Sequence, residues 1–255
     1  MKILHLSDLH FTEFMKPREY EWLASAAKGM DLVVITGDIT NNGSPREYEV
    51  ARKALEPLAE EGNLVIMPGN HDYGAVGNLF DPTAADRFDD LAREVMGFSG
   101  YKERRIYQRV VRNQQLDESV RIIGLNSCLM TLSPTDMARG EIGRAQMDEL
   151  DEALTEARLH GSGPIVVALH HHPFLHDDKA MRLEDSSAFV QTIAGRCDVL
   201  LCGHHHHADM WTGRLGIPLI LAADNSPHSG RAWVVEDLGV HPALDVDSWV
   251  GSVRL

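Results

Sequence analysis

The sequence predicts an α/β fold in which two β-sheets pack together, and three observations predict it. First, short apolar runs alternate with stretches of helical periodicity, the pattern of strand, helix, strand units. Second, five of those runs stop beside side chains able to ligate a metal. In open α/β sheets, sites gather at the carboxyl ends of the strands. Third, after Arg104 the alternation gives way to closely spaced strands, which calls for a second sheet packed on the first.

The elements follow in order. Residues 3–7 run into Asp8 and His10. Residues 17–28 carry a weak helical pattern, and residues 32–36 run into Gly37-Asp38. Ser44-Pro45-Arg46-Glu47 reads as a capping box with proline at the first helical position. That helix is expected from Pro45 to near Glu56, where Pro57 ends or kinks it. Residues 64–67 run into Gly69-Asn70-His71-Asp72. Residues 106–111 and 120–125 read as strands joined by a polar turn around 113–118. Met147, Leu150, Leu154 and Ala157 lie on one helical face, with Gly161 or Gly163 as the stop. Residues 165–169 run into three histidines, 170 to 172, and then Pro173. A short helix is expected over 186–194. Residues 199–202 run into Gly203 and the histidines from 204 on. Strands at 217–222 and 232–235 are assigned to the second sheet. The tail from Gly239 carries no readable pattern.

Composition narrows the function. The chain has 255 residues and a net charge of −14. The candidate ligands run from Asp8 to His206, so one domain over 1–255 is expected. The acidic balance opposes long nucleic acids, which need a basic face. It leaves room for a small anionic substrate, because a bound cation dominates the field around it. No apolar run reaches the length of about 18 residues that a membrane span needs. The opening MKILHLSDLH lacks a signal-peptide layout, so a cytoplasmic location is expected. Cys128, Cys197 and Cys202 lack metal-site spacing and read as reduced, buried thiols.

The ligand chemistry is specific in combination. In extended backbone, residues i and i+2 point to one side. Asp8 and His10 would then face one ion, and His204 and His206 would repeat the arrangement with two imidazoles. Asp38 has two oxygens with which to bridge two cations. Asn70 offers an amide oxygen suited to hard or borderline ions, and His71 sits beside it at the edge of the site. Each motif alone is more often a turn or a satisfied structural group. Five at strand ends in one chain are not.

Those motifs are Asp8-x-His10, Gly37-Asp38-x-x-Asn41, Gly69-Asn70-His71-Asp72, His171-x-Pro173 and Gly203-His204-x-His206. Together they resemble the calcineurin-like metallophosphoesterase superfamily, over most of the chain. The wording HLSDLH, VVITGDITNNG and MPGNHD is similar to the branch holding bacterial class III cyclic-nucleotide phosphodiesterases and glycerophosphodiesterases. The resemblance implies a four-layer αββα sandwich of two mixed β-sheets flanked by helices, with two divalent or mixed-valence ions (Mn, Fe, Co or Zn). It implies that Asp8, His10, Asp38 and His206 hold one ion and that Asp38, Asn70, His171 and His204 hold the other. His171 is taken from the His-x-Pro spacing, with His170, directly after the strand, as the alternative within the run that ends at His172. It implies that His71 faces the substrate phosphate. The family often has Asp or Asn where Asn41 stands; with Asn there, the position supplies no carboxylate to orient that histidine, which leaves Asp72 as the candidate for that task. Asn41 and Arg139 are the other substrate-binding candidates. His172, His176 and His207 read as rim histidines, and His5, His160, His228 and His241 as structural or exposed.

The expected activity is hydrolysis of small phosphodiesters, with 3′,5′-cyclic nucleotides as one candidate class. Two ions about 3.5–4 Å apart can hold a hydroxide between them and clamp a phosphoryl group. Two divalent ions, less the charges of Asp8, Asp38 and the hydroxide, leave one formal positive charge for a monoanionic diester. His71, if protonated, would stabilise the phosphoryl oxygens or protonate the leaving alkoxide. Rivals are a phosphomonoesterase, including a protein phosphatase, a DNA nuclease, which the net charge opposes, and a non-catalytic interaction module. The last is opposed by a competent residue at every ligand position. Metal identity, substrate and oligomeric state are not legible.

Overall fold

The computed structural model describes residues 1–77, 79–101, 106–115, 117–128, 138–161, 163–174, 179–225, 231–236 and 245–250. In chain order these form β1 (Ile3–Leu6), α1 (Trp22–Ala27), β2 (Leu32–Thr36), α2 (Pro45–Glu60), β3 (Leu64–Met67), a small hairpin of β4 (Gly74–Ala75) and β5 (Leu79–Phe80), and α3 (Pro82–Met96). There follow β6 (Ile106–Asn113), β7 (Glu118–Leu125), α4 (Arg144–His160), β8 (Ile165–Ala168), α5 (Ser186–Ile193), β9 (Val199–Cys202), β10 (Asp209–Arg214), β11 (Ile217–Ala222), β12 (Arg231–Glu236) and β13 (Asp245–Val250).

One sheet has five strands in the order β13-β12-β1-β2-β3; the other has six, β10-β11-β9-β8-β7-β6. β1, β2 and β3 pair in parallel, as do β7, β8, β9 and β11. Antiparallel strands close both margins of the six-stranded sheet and the β13 margin of the five-stranded one. Both sheets are therefore mixed, and helices flank them. The strand expected at 232–235 does not join the second sheet. β12 pairs with β1, Leu4 opposite Val234, and so belongs to the first.

The second sheet shows why the chain needs two hydrophobic layers. Val166, Ala168, Val199, Leu201, Leu219 and Leu221 belong to the same buried cluster as the first sheet. Their neighbours Val167, Leu200, Cys202 and Ile220 pack with Leu150 and Leu154 of α4 and Phe189 of α5. Period-two alternation thus sends one face of the sheet inward to the other sheet and one face out to helices.

α2 carries the expected capping box, with Ser44 accepting from the Glu47 N–H. It does not stop at Pro57 but runs a further turn to Glu60. Proline removes one i→i−4 bond, and burial of Leu58 offsets that loss until Gly62, at φ +74°, ends the turn. The expected helix over 17–28 is shorter: Pro17–Glu19 form only a 3₁₀ turn before α1. α3 is not among the elements expected above, although its signals are present: Asp81 caps the Thr83 N–H, Pro82 follows, and Phe88, Leu91 and Val95 are buried. No helix among the described residues is long and apolar enough to cross a membrane.

Candidate metal centre

The carboxyl ends of β1, β2, β3, β8 and β9 meet on one rim. The first two loops stay paired beyond their strands: Asp8 N–H donates to Gly37 C=O at 3.0 Å and His10 N–H to Asp38 C=O at 2.9 Å. The backbone there is not extended. Asp8, His10, Asp38, His204 and His206 have φ of 54°, 47°, 51°, 76° and 52°. Five of the eight non-glycine residues with positive φ among the described residues are therefore candidate ligands. Left-handed backbone costs roughly 1–2 kcal/mol per residue, and such strain clusters at functional sites. The extended i, i+2 geometry expected for Asp8 and His10 is thus replaced by left-handed turns that still bring the two side chains together.

Two donor groups share Asp38. The first comprises Asp8, His10, Asp38 and His206. His206 Nε2 lies 3.1 Å from Asp8 Oδ1 and 3.1 Å from His10 Nε2, and His10 Nε2 lies 3.8 Å from Asp38 Oδ2. The second comprises Asp38, His170 and His204. His170 Nε2 lies 3.3 Å from Asp38 Oδ2, 3.1 Å from His204 Nδ1 and 3.0 Å from Asn70 Oδ1. Asn70 Nδ2 donates to Gly77 C=O at 2.9 Å, which turns its oxygen toward the histidines.

These separations fit a shared cation. With bond lengths of about 2.1 Å, the edges of a tetrahedral or octahedral donor set measure about 3.0–3.4 Å. Buried Asp8 Oδ1 is set among imidazole nitrogens of the same donor group, His206 Nε2 at 3.1 Å and His10 Nε2 at 4.0 Å, as an oxygen that joins them in holding a cation would be. Carboxylate, amide and imidazole donors together suit Mn, Fe, Co or Zn.

At the His171-x-Pro173 motif the donor cluster takes in a different histidine from the one expected. His170, not His171, enters the cluster. Val166 and Ala168 face the other sheet, while Leu169 continues the outward row of Ile165 and Val167. The alternation carries past the strand end, where Leu169 N–H still donates to Leu201 C=O. His170 consequently lands on the inner side. His171 falls elsewhere: its Nδ1 lies 2.9 Å from Ser127 Oγ, and its ring packs against Gly140. His172 is buried against Phe174 and Trp211.

Supporting bonds orient the donors, as second-sphere partners of metal ligands do. His170 Nδ1–H donates to Thr36 C=O at 2.7 Å, which commits Nε2 to the cluster. Burial alone would lower the His170 pKa, but Asp38 outweighs it and holds the imidazole at about 9. Burial alone would raise Asp38; His170 instead holds it well below the usual carboxylate range. Burial keeps His204 well below the ordinary histidine value. There is no room above Asp38 for a side chain at residue 69. A Cβ on Gly69 would collide with its Oδ1 and backbone N–H.

His71 starts a 3₁₀ turn and donates its backbone N–H to Asp38 Oδ1 at 2.9 Å. Its Nδ1 lies 2.7 Å from the Asn41 carbonyl oxygen. That contact makes Nδ1–H the donor and leaves Nε2 for other chemistry. The ring stands edge-on to His10, centroids 4.7 Å apart. Asn41 therefore serves His71 through its backbone. Asp72 does not orient His71. Its carboxylate accepts the N–H groups of Ile39 at 3.2 Å, Thr40 at 2.8 Å and Gly69 at 2.9 Å, with the Thr40 hydroxyl at 3.0 Å. It thereby ties the Asp38 loop to the Asn70 loop. Its burial, and Asp38 nearby, raise its pKa to about 7.

The donors open on a cavity of ≈ 380 Å³ lined by Asp38, Asn70, His71 and His204–His206, together with Val76, Ala138, Ala180 and Met181. Arg139 is not among the described lining residues. Its guanidinium pairs with Glu184 at 3.0 Å, and Arg182 joins the same carboxylate. His207 is exposed, bonded to the His205 carbonyl. His5 is buried beside the Thr36 hydroxyl and His160 is exposed. His176, His228 and His241 lie outside the described residues.

The calcineurin-like phosphoesterase profile matches residues 1–208. The chain belongs to that family. It is 28% identical over 200 residues to a cAMP/cGMP dual specificity phosphodiesterase of Mycobacterium tuberculosis, covering 76% of this chain and 54% of the relative. It is 36% identical over 85 residues to a glycerophosphodiester phosphodiesterase of Enterobacter lignolyticus, covering 28% and 30%. The chain thus spans about half, or less, of the length of these relatives. A dimetal phosphatase from Danio rerio shares the fold, with a TM-score of 0.62, 15% identity and 92% of each chain covered.

Proposed function

We propose that the protein is a metal-dependent phosphodiesterase that takes small diesters, with cyclic nucleotides as the leading class. The observation that carries this reading is the pair of donor groups hinged on Asp38, with His71 anchored beside them. Asp8, His10, Asp38 and His206 would hold one cation; Asp38, Asn70, His170 and His204 would hold the other. Two cations there would supply Lewis acidity toward the phosphoryl oxygens and an activated water.

The chain's own groups do the rest. Asp38 holds both halves of the site in register and receives the His71 N–H. Asn41 fixes the His71 ring, so a protonated Nε2 would be held for a phosphoryl oxygen or the leaving alkoxide. Neither Lys nor Arg is among the described residues lining the cavity. That supports a monoanionic diester over a dianionic monoester, whose extra charge would meet neither Lys nor Arg among these described lining residues. The relatives named as cyclic-nucleotide and glycerophosphodiester phosphodiesterases point the same way.

The test is a panel of Mn, Fe, Co and Zn crossed with bis(p-nitrophenyl) phosphate, p-nitrophenyl phosphate and 3′,5′-cyclic AMP. The diesters should show the higher kcat/KM in the best metal. A clear preference for the monoester would move the assignment to phosphatase.

A further inference from the structure

The cavity lining is of two kinds. One is carboxylate, amide and imidazole; the other is apolar, with Val76 from the first sheet's side and Ala138, Ala180 and Met181 from loops of the second sheet's side. Val76 is the unusual member. It is an apolar side chain 67% exposed. It is also β-branched with φ of +57°, a conformation that Gly, Asn and Asp adopt at far lower cost.

The surroundings impose that conformation. Val76 lies between the paired ends of the β4–β5 hairpin, Ala75 opposite Leu79. Its N–H donates to Asn42 Oδ1 at 3.1 Å, from the loop after Asp38. The next residue, Gly77, receives the Asn70 amide at 2.9 Å. A Cβ on Gly77 would come within 2.5 Å of both Asn70 Nδ2 and His71 Nε2. The hairpin turn is thus tied to two site loops through residues 76 and 77, and Val76 is the described turn residue that places a side chain in the cavity lining. A valine exposed to water in strained backbone contributes nothing evident to the core. Its remaining asset is apolar contact at the mouth of the site.

We propose that Val76 is a specificity-determining residue that packs on the ester substituent of the substrate and selects an uncharged, apolar group over a small one. This rests on the diesterase reading above, because only a diester carries a second substituent to be read. Met181, which lines the same cavity, has the adaptable side chain that suits contact with varied apolar shapes.

The expected effect is modest and measurable. Burying about 40 Å² of apolar surface against Val76 corresponds to roughly fivefold in affinity. The probes are two inert monoanions, methylphenylphosphinate and dimethylphosphinate, titrated by calorimetry into manganese-loaded protein. Turnover of phenyl p-nitrophenyl phosphate and methyl p-nitrophenyl phosphate, which share a leaving group, is measured in parallel. Wild type should favour the phenyl member of each pair about fivefold. Val76→Asn should bring both ratios to near one while melting no lower than wild type in the metal-free state, since Asn suits the left-handed backbone. Val76→Gly serves as the second variant. Leu79→Asn, on the same hairpin but not among the described lining residues, should leave the ratios unchanged. Equal binding of the two phosphinates by wild type, or an undiminished phenyl preference in both Val76 variants, would overturn the proposal. Phosphinate discrimination in a protein that turns over only monoesters would sink the diesterase reading and leave the Val76 assignment standing.

Discussion

His170→Ala should cost one metal ion, and the structure sets how much else it should cost. His170 Nε2 lies 3.0 to 3.3 Å from Asn70 Oδ1, His204 Nδ1 and Asp38 Oδ2, and Thr36 holds its other nitrogen. Loss of a second-sphere partner weakens metal affinity by about 10–100-fold, so loss of a donor at this convergence should exceed about 100-fold at that site. Without metal, the same change strands the Asp38 carboxylate, buried and deprived of its ion-pair partner. Breaking a buried pair from one side costs about 3–5 kcal/mol. For a chain of this size that lowers Tm by on the order of 10 °C. His171→Ala should behave differently. It loses the contact with Ser127 and some packing, about 1–3 kcal/mol, and keeps two ions. Equilibrium dialysis against manganese or zinc, followed by elemental analysis, gives the stoichiometry, and melting in chelator gives the stability. Retention of two ions by His170→Ala, with one lost from His171→Ala, would refute the reasoning from strand parity.

Asp38→Ala should lower metal content at both sites and abolish hydrolysis; two tightly held ions in that variant would remove the bridging role. His71→Ala should keep both ions and lose rate by about 10²–10⁴-fold if it acts as a general acid. That loss should be larger for an alkoxide leaving group than for p-nitrophenolate; equal losses would leave only electrostatic help to the phosphoryl oxygens. Asp72→Ala should unhitch the Ile39, Thr40 and Gly69 N–H groups together, and stranded buried donors cost about 1–3 kcal/mol each. A Tm near wild type would show that the two loops hold without it. In chelator, the His170–Asp38 pair should make stability pH-dependent. His170, raised from 6.5 to about 9, contributes fully below pH 6.5 and loses its contribution as pH rises through about 9. Asp38, depressed from 3.8, contributes above that value and loses its contribution as pH falls through its lower folded-state pKa. Urea midpoints of wild type minus His170→Gln, compared below pH 6.5 and above about 9, should show the alkaline loss in wild type alone.

The strands that carry the site were legible because each is a compact apolar run ending at a polar cluster, and both signals are local. β1, β2, β3, β8 and β9 match the expected runs to within a residue. α3 was legible too, from its Asp81-Pro82-Thr83 start and its buried period. β10 was not, because five of its six residues are exposed and its pattern resembles a loop. β13 has no pattern of its own and is defined by pairing to β12.

By itself, then, the sequence determined the strand ends, the kinds of donor atoms and the family they point to. All of these depend on neighbours along the chain. Only tertiary structure decided how the donors are shared. His204 and His206, two residues apart, fall into different donor groups, whereas Asp8 and His10, at the same spacing and also left-handed, share one. His170 enters in place of His171 because β8 has one face against the other sheet, and that face is defined by a strand distant in sequence. Asp72 serves two loops rather than His71 because the N–H groups it meets come from residues 39, 40 and 69. Spacing along a chain fixes which side chains can reach a rim, whereas the packing of two sheets fixes which of them face each other across it.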